Sequence, residues 1–239
     1  MVHRGVASLG SHWSVRRRTV VLGALLAFLF ASLLVVHVAS RAGADVDRCE
    51  RFTADSRARA AIATGTGQRV VVIGDSWSAG LGLDRPADSW PARLDGRVHV
   101  AGFSGSGFSA EAGSCRRVSF AVRAPGAVRA GADLVVVEGG LNDFDEPDAA
   151  IRVGFADLMR ALDGRRVVVV GPAAAPVRAD RVPRVDELLA GLSERYGVPY
   201  VRTSGLDLPY LDDRLHLTPE GHVEFGDFVA QQIRDLPAL

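Results

Sequence analysis

The chain has 239 residues and a hydrophobic fraction of 48%, which suits one globular domain with an appendage and excludes a globally disordered protein. Its 28 Lys and Arg residues are balanced by 28 Asp and Glu residues. Because no basic excess is present, the composition does not predict a nucleic-acid-binding protein.

The first predicted element is a membrane-spanning helix. Residues 19–39 form a 21-residue apolar segment that directly follows Arg16, Arg17 and Arg18. As a helix this segment would be about 30 Å long, which is enough to cross a hydrocarbon core. The positive-inside rule keeps residues 1–18 in the cytoplasm as a tail and places the rest of the chain outside. We therefore predict a single-pass signal anchor.

A cleaved signal peptide is the alternative to an anchor. Ala42, Gly43 and Ala44 form an acceptable cleavage site before Asp45, and cleavage after Ala44 would release a secreted protein. The apolar segment is longer than the 7–15 residues of a usual signal-peptide core, which favours the anchor. A buried core helix would be shorter and amphipathic. Both leading interpretations export the domain.

Residues 40–67, which are rich in Ala, Arg and Asp, are predicted to form a stalk with a helix near residues 50–62. The only cysteines are Cys49 and Cys115, and their spacing fits no zinc or redox motif. In a cytosolic domain both would be free buried thiols. In an exported domain a disulfide between them is expected, with a stabilisation of roughly 2–4 kcal/mol.

Residues 68–239 are predicted to form the catalytic domain. This part of the chain contains five short Val-rich runs, and such runs are typical of strands buried on both faces of a parallel sheet. The runs are residues 69–73, 97–100, 133–137, 166–170 and 199–201. Helical patterns lie at residues 151–162 and 185–196, and a last helix begins at Thr218 and Pro219. This alternation predicts one domain with a doubly wound three-layer α/β sandwich.

Ligands of such sheets bind beyond the carboxyl ends of the strands. Polar blocks follow the first three strands and precede the last helix; they are residues 74–78 (GDSWS), 102–107 (GFSGSG), 139–143 (GGLND) and 213–216 (DRLH).

These blocks contain the parts of a serine hydrolase. A serine hydroxyl such as that of Ser76 needs a base to take its proton, and a histidine such as His216 is the usual base. Asp213, three residues before His216, can hold the other ring nitrogen. The tetrahedral intermediate needs hydrogen-bond donors, for which the Ser76 backbone, Gly105 and the Asn142 side chain are candidates.

The four blocks, in this order, resemble the SGNH hydrolase superfamily, also called the GDSL esterase/lipase family. The resemblance covers residues 68–239 and implies a flavodoxin-like sandwich with a five-stranded parallel sheet. It implies that Ser76 is the nucleophile, that His216 is the base oriented by Asp213, and that Ser76, Gly105 and Asn142 form the oxyanion hole. The chain departs from the usual pattern at Trp77, where Leu is more familiar, and at Ala101, where Asn usually precedes the Gly block.

Other interpretations of single residues stand beside these. Ser76 alone could cap a helix. The Gly-rich block does not match a phosphate-binding G-x-G-x-x-G or Walker pattern, and Ser76 lacks the G-x-S-x-G of an α/β-hydrolase. We expect Asp143 to be structural, His99 to be a satisfied sheet residue and His222 to be a surface or capping residue.

Trp77 and Trp90 are candidates for the wall of the acyl pocket, or else packing residues. The sequence has no metal-binding cluster, so no metal and no cofactor are predicted.

The leading functional prediction is an extracytoplasmic serine esterase that acts on carboxylic esters, such as acylated glycans or lipids of the cell envelope. An envelope O-acyltransferase would use the same residues. A non-catalytic glycan- or lipid-binding module on a stalk is the alternative from another class, but it would have no need for a nucleophile and its base.

Overall fold

The structure is a computed structural model that describes residues 11–237. Residues 1–10 of the predicted cytoplasmic tail lie outside the described residues. The chain divides into two compact units, Met1–Arg48 and Cys49–Leu239. The second unit begins at Cys49, earlier than the boundary at residue 68 that the sequence pattern suggested.

The first helix, α1, extends from Ser11 to Ala60. Its stretch Val20–Ala60 contains an apolar segment that is long and apolar enough to cross a membrane, a property that an anchor and a signal sequence share. The predicted anchor and the predicted stalk helix are thus parts of one helix. Residues 40–60 are rich in Ala and Arg and lack Pro, so that intrinsic propensity allows the helix to continue.

The second unit alternates strands and helices. Its strands are β1 (Ala63–Thr64), β2 (Arg69–Gly74), β3 (Arg97–Gly102), β4 (Leu134–Glu138), β5 (Val167–Val170) and β6 (Tyr200–Val201). Its helices are α2 (Ser76–Ala79), α3 (Phe120–Ala127), α4 (Asp148–Ala161), α5 (Val182–Tyr196) and α6 (Pro219–Arg234). Three 3-10 turns lie at Pro86–Asp88, Trp90–Arg93 and Leu141–Asp143.

The sheet has the order β1-β3-β2-β4-β5-β6. Strands β2 to β6 are parallel to one another and have the flavodoxin-like order that was predicted. The sheet has six strands rather than five because β1 pairs antiparallel with β3 at the edge. A strand of two residues is too short to produce a hydrophobic period.

The sheet is covered on both faces. Val70 and Val72 pack with Phe225 of α6 in one cluster, whereas Val71 and Ile73 pack in another with side chains of α3, α4 and α5. Successive residues of a strand point to opposite faces, so residues 70–73 of β2 are all buried between the two layers. The three-layer α/β sandwich predicted from the Val-rich runs is confirmed.

Helix termini follow their sequence signals. Gly197, which has a φ of 64°, caps the C-terminus of α5, and the side chain of Thr218 accepts a hydrogen bond from the Gly221 N–H at the start of α6. Helix α3 was not predicted. It has only eight residues and contains Pro125, a residue that normally argues against a helix.

Candidate active site

Ser76 lies where β2 turns into the short helix α2. The Asp75 carboxylate accepts a hydrogen bond from the Trp77 N–H at 2.9 Å and so holds this turn. A side chain at Gly74 would lie 2.1 Å from the Ser78 hydroxyl, so the turn needs a glycine there. The strand order changes direction between β2 and β4, and the carboxyl end of the sheet at such a switch point is the usual ligand site.

His216 and Asp213 share one closed loop before α6. The Leu211 N–H donates to the His216 carbonyl at 2.7 Å, and an antiparallel bridge joins Tyr210 to Leu217. Inside the loop, Asp213 Oδ1 accepts the backbone N–H groups of both Leu215 and His216 at 2.9 Å. The loop therefore fixes the carboxylate relative to the imidazole through the backbone.

The loop and the β2 turn bring three predicted residues together. Ser76 Oγ lies 3.1 Å from His216 Nε2, and His216 Nδ1 lies 2.6 Å from Asp213 Oδ2. The Ser76 side chain has little exposure, whereas Asp213 is about half exposed. Burial raises the pKa of Asp213, but the hydrogen bonds from the His216 ring and from nearby backbone N–H groups outweigh it and lower this pKa below its usual value. An ionised partner of this kind keeps the imidazole proton on Nδ1 and leaves Nε2 to accept one.

Trp77 lies beneath this loop. Its side chain is 1% exposed, packs edge-on against Phe225, and donates from Nε1 to the Leu215 carbonyl at 3.1 Å. Trp90 is also fully buried. Of the two roles considered for each tryptophan, packing matches these positions, and Trp77 supports the segment that carries His216.

The Gly-rich block forms a tight turn in which the Ser106 N–H donates to the Phe103 carbonyl at 3.1 Å. Gly105 has a φ of +81°, as the third residue of a type II turn requires, so the position favours glycine. Within residues 11–237, the backbone N–H groups of Ser76 and Gly105 donate no hydrogen bond. Two amides near the strand ends are thus left for a ligand.

Asn142 lies in the 3-10 turn after β4 and uses both ends of its amide. Its Nδ2 donates to the Ser106 carbonyl at 2.9 Å and to Asp75 Oδ2 at 3.2 Å. Its Oδ1 accepts from Arg178 Nη1 at 3.0 Å. The side chain therefore connects the β2 turn, the Gly-rich turn and the segment after β5.

Asp143 has the structural role that was expected. Its carboxylate is fully buried and accepts the backbone N–H groups of Phe108 and Ser109 at 3.0 and 2.7 Å. Burial raises the pKa of Asp143 to about 7, and these two hydrogen bonds oppose that shift. Asp143 thus ties the segment after the Gly-rich turn to the Asn142 turn.

Charged groups that were not predicted lie behind the site. Arg123 of α3 donates to the Gly74 carbonyl and to Ser106 Oγ, both at 2.9 Å. Glu138, the last residue of β4, is buried; burial and the nearby Asp75 raise its pKa well above the usual value. Burial also raises the pKa of Asp75 to about 6. Glu138 is the last residue of a strand, so the strand-end rule could have pointed to it, whereas nothing in the sequence marks Arg123.

The two histidines outside the triad differ from one another. His99 Nε2 lies 2.7 Å from Arg69 Nη1, which is consistent with a satisfied sheet residue. The expectation that His222 is a surface or capping residue is wrong, because its side chain is 1% exposed and its Nδ1 accepts the Trp90 N–H at 3.3 Å. Gly221 and Phe225 of the same helix are also buried, so the first turn of α6 lies against the core.

The predicted disulfide is present between Cys49 and Cys115, whose Cα atoms are 5.6 Å apart. It joins α1 to the segment that follows the Gly-rich turn. Nearby in the chain, the Phe52 ring of α1 packs edge-on against Phe103 at a centroid distance of 6.3 Å. The end of α1 is therefore part of the packing around the Gly-rich turn.

Among the residues that the structure describes from Val20 onwards, no three His, Cys, Asp or Glu side chains are grouped so that they could hold a metal ion.

The chain is similar to known proteins in its sequence pattern and in its fold. The sequence model of the GDSL-like Lipase/Acylhydrolase family matches residues 72–223, which is more than half of the chain. No curated protein sequence matches.

Solved structures share the fold. An aryl esterase from M. smegmatis is 19% identical with a TM-score of 0.59, and the match covers 72% of this chain and 100% of that one. A carbohydrate acetylesterase from Sinorhizobium meliloti is 18% identical with a TM-score of 0.59, covering 70% and 99%. A family two carbohydrate esterase from Clostridium thermocellum is 16% identical with a TM-score of 0.57, covering 72% and 65%.

Proposed function

The chain belongs to the GDSL-like lipase/acylhydrolase family and is an ester-hydrolysing serine hydrolase, and on that basis we propose that it works through an acyl-enzyme on Ser76. The observation that carries this proposal is the contact of 3.1 Å between Ser76 Oγ and His216 Nε2. A histidine at this distance can take the hydroxyl proton as the oxygen attacks an ester carbonyl.

The proposed reaction has two halves. In the first, His216 accepts the Ser76 proton, Oγ bonds to the carbonyl carbon, and the protonated ring then gives its proton to the departing alcohol. In the second, a water gives a proton to His216 and its oxygen bonds to the acyl carbon. The bond from that carbon to Ser76 Oγ then breaks, the protonated ring returns the proton to Oγ, and the acid is released. Asp213, 2.6 Å from Nδ1, stabilises the imidazolium that forms in both halves.

We assign the oxyanion to three donors. The unused N–H groups of Ser76 and Gly105 supply two of them. The Asn142 amide supplies the third donor. Of its two N–H groups, one makes the shorter contact, 2.9 Å to the Ser106 carbonyl, so we assign the oxyanion to the other, which contacts Asp75 Oδ2 at 3.2 Å. Donors that the fold already holds in place need little rearrangement when the negative charge develops.

We propose that α1 anchors the enzyme and that residues 49–239 act on the extracytoplasmic side. The apolar segment of α1 and the arginines before it support this orientation. The Cys49–Cys115 bond also supports it, because disulfides persist mainly in oxidising compartments. Labelling of residues on either side of residues 19–39 in intact cells tests the orientation; labels that reach residues 49–239 only after lysis contradict it.

We propose acylated glycans or lipids of the cell envelope as the substrate class. Support comes from the proposed location and from the family, and the Sinorhizobium meliloti protein of the same fold is named a carbohydrate acetylesterase. A panel of aryl acetates, longer aryl esters and acetylated sugars, assayed for free acid and for acyl transfer to sugar hydroxyls, tests it. Acyl transfer as the main outcome would point to the acyltransferase alternative.

The decisive experiment compares Ser76→Ala with Ser193→Ala in the full chain. Both remove one buried hydroxyl, but the Ser193 hydroxyl lies on α5 and has no hydrogen-bond partner among the residues that the structure describes. We expect Ser76→Ala to abolish turnover of a short-chain aryl ester and labelling by a fluorophosphonate, and Ser193→Ala to retain both. Turnover that survives in Ser76→Ala would refute the acyl-enzyme.

A further inference from the structure

We infer that Arg178 is a positioning residue for Asn142, holding its amide in the one orientation that aims Nδ2 at the oxyanion. This inference rests on the proposed function of the site. Arg178 lies in the segment between β5 and α5, and it is linked to the Asn142 turn by side-chain contacts rather than by sequence.

Three contacts fix the Arg178 guanidinium on this turn. Its Nη1 donates to the Leu141 carbonyl at 2.7 Å and to Asn142 Oδ1 at 3.0 Å. Its central carbon lies 4.4 Å from the centre of the Phe144 ring. A planar cation that both donates and stacks has little rotational freedom, so the group that it binds is held as well.

An asparagine amide has a donor end and an acceptor end that differ little in shape, so the surroundings must choose between two orientations. Here the contacts at both ends of the Asn142 amide favour the same orientation. Arg178 offers only donors, which requires Oδ1 on its side. The Ser106 carbonyl and Asp75 carboxylate are acceptors on the opposite side. A flipped amide would place N–H groups against the guanidinium and the oxygen against two acceptors.

Arg178 also influences the charge of the site. Burial lowers the pKa of Arg178 itself, and its positive charge opposes the burial that raises the pKa of Asp75. Loss of Arg178 could therefore act through charge alone or through geometry. The two can be separated, because a lysine keeps the charge but not the planar fork.

The kinetic test is a double-mutant cycle in the full chain. Arg178→Met should lower kcat about 10-fold while KM changes less than about 2-fold, and it should cause no further loss in an Asn142→Ala background. Arg181→Met is the matched control, since that arginine lies in the same segment and, within the described part of the chain, its side chain pairs only with Asp180 at the surface. An equal loss in both backgrounds would overturn the inference, and so would full recovery of kcat by Arg178→Lys.

A second measurement needs no turnover. Asn142 is the only asparagine of the chain, so [15N]asparagine labelling gives a single side-chain amide pair in the NMR spectrum. We expect two well-separated amide protons that exchange slowly with water, and about 10-fold faster exchange in Arg178→Met but not in Arg181→Met. An unchanged signal in Arg178→Met would overturn the inference. If the wild type hydrolyses no ester, the proposed function fails, yet this spectrum still decides the role of Arg178.

Discussion

The two sides of the candidate active site are built differently. On one side, His216 and Asp213 are three residues apart, share one closed loop, and leave the carboxylate half exposed. On the other side, Asn142 is held by Arg178, Asp75 and Ser106, which come from three other segments and are partly or fully buried. The first side depends on local backbone geometry, whereas the second depends on the whole sheet edge.

This difference decides what a substitution should do. A change on the His216 side removes a proton acceptor and leaves its surroundings in place. A change on the Asn142 side leaves partners such as Arg178 and Asp75 near one another without the group that joins them, so that orientation and charge both change.

The largest expected effect comes from removing the base. His216→Gln should lower kcat by about 10⁵-fold, because among residues 11–237 no other side chain contacts the Ser76 hydroxyl to accept its proton. Steady-state kinetics on a short-chain aryl ester measure the loss. His99→Gln is the control, since His99 lies on β3, contacts Arg69 of β2 and does not contact the site. Comparable losses in both variants would argue against His216 as the base.

The next effect sharpens the comparison on the opposite side. Asn142→Ala should lower kcat by about 10²- to 10³-fold with little change in KM, as expected for a donor that is used mainly in the transition state. Steady-state kinetics measure kcat and KM separately across a series of aryl esters. A rise in KM with unchanged kcat would show that Asn142 binds the substrate instead of the oxyanion.

The disulfide should affect stability more than chemistry. Cys49→Ser with Cys115→Ser removes a link across 66 positions of sequence and should lower the free energy of unfolding by about 3 kcal/mol. Thermal unfolding of the full chain in detergent measures it. Below the unfolding temperature kcat should change less than about 3-fold, and a larger loss would mean that the bond itself positions the Gly-rich turn.

The smallest expected effect is a pH dependence of stability. Burial lowers the pKa of His222 to about 4, so between about pH 6.5 and 4 the unfolded chain binds a proton there that the folded chain does not. Stability from this group is therefore full above pH 6.5 and decreases as the pH falls. The stability difference between wild type and His222→Gln should shrink by about 2 kcal/mol from pH 7 to 4.5.

Denaturant unfolding at both pH values gives that difference directly. The comparison with a variant is needed because Asp75 and Asp143 have raised pKa values and change stability in the opposite direction over the same range. A stability difference that stays constant with pH would show that the pKa of His222 is the same in the folded and the unfolded chain.

The sequence predicted the parts of the molecule that depend on short-range patterns. Val-rich runs identified the parallel strands, and residues at strand ends identified Ser76, Asn142 and the Gly-rich turn. The pair Asp213 and His216 could be proposed because its spacing already brings the two side chains within reach. The strands needed only periodicity and the rule that parallel strands end at one edge, whereas the roles of the site residues also rested on the resemblance to the SGNH hydrolase superfamily.

The buried polar layer could not be predicted in the same way. Arg178 and Arg123 are two among many arginines, and their partners include backbone carbonyls, which leave no trace in the sequence. His222 was misjudged because the amphipathic pattern of α6 does not show that its first turn packs on Trp90. Strand β1 and helix α3 were missed because the first is too short and the second contains a proline.

The closed loop of residues 210–217 has one more consequence. Since the base and its carboxylate partner are held by hydrogen bonds inside this loop, they can be treated as a cassette. Segments before and after it can lengthen or shorten during evolution or engineering without altering their mutual alignment. New substrate preferences could therefore be built around an unchanged proton-transfer module.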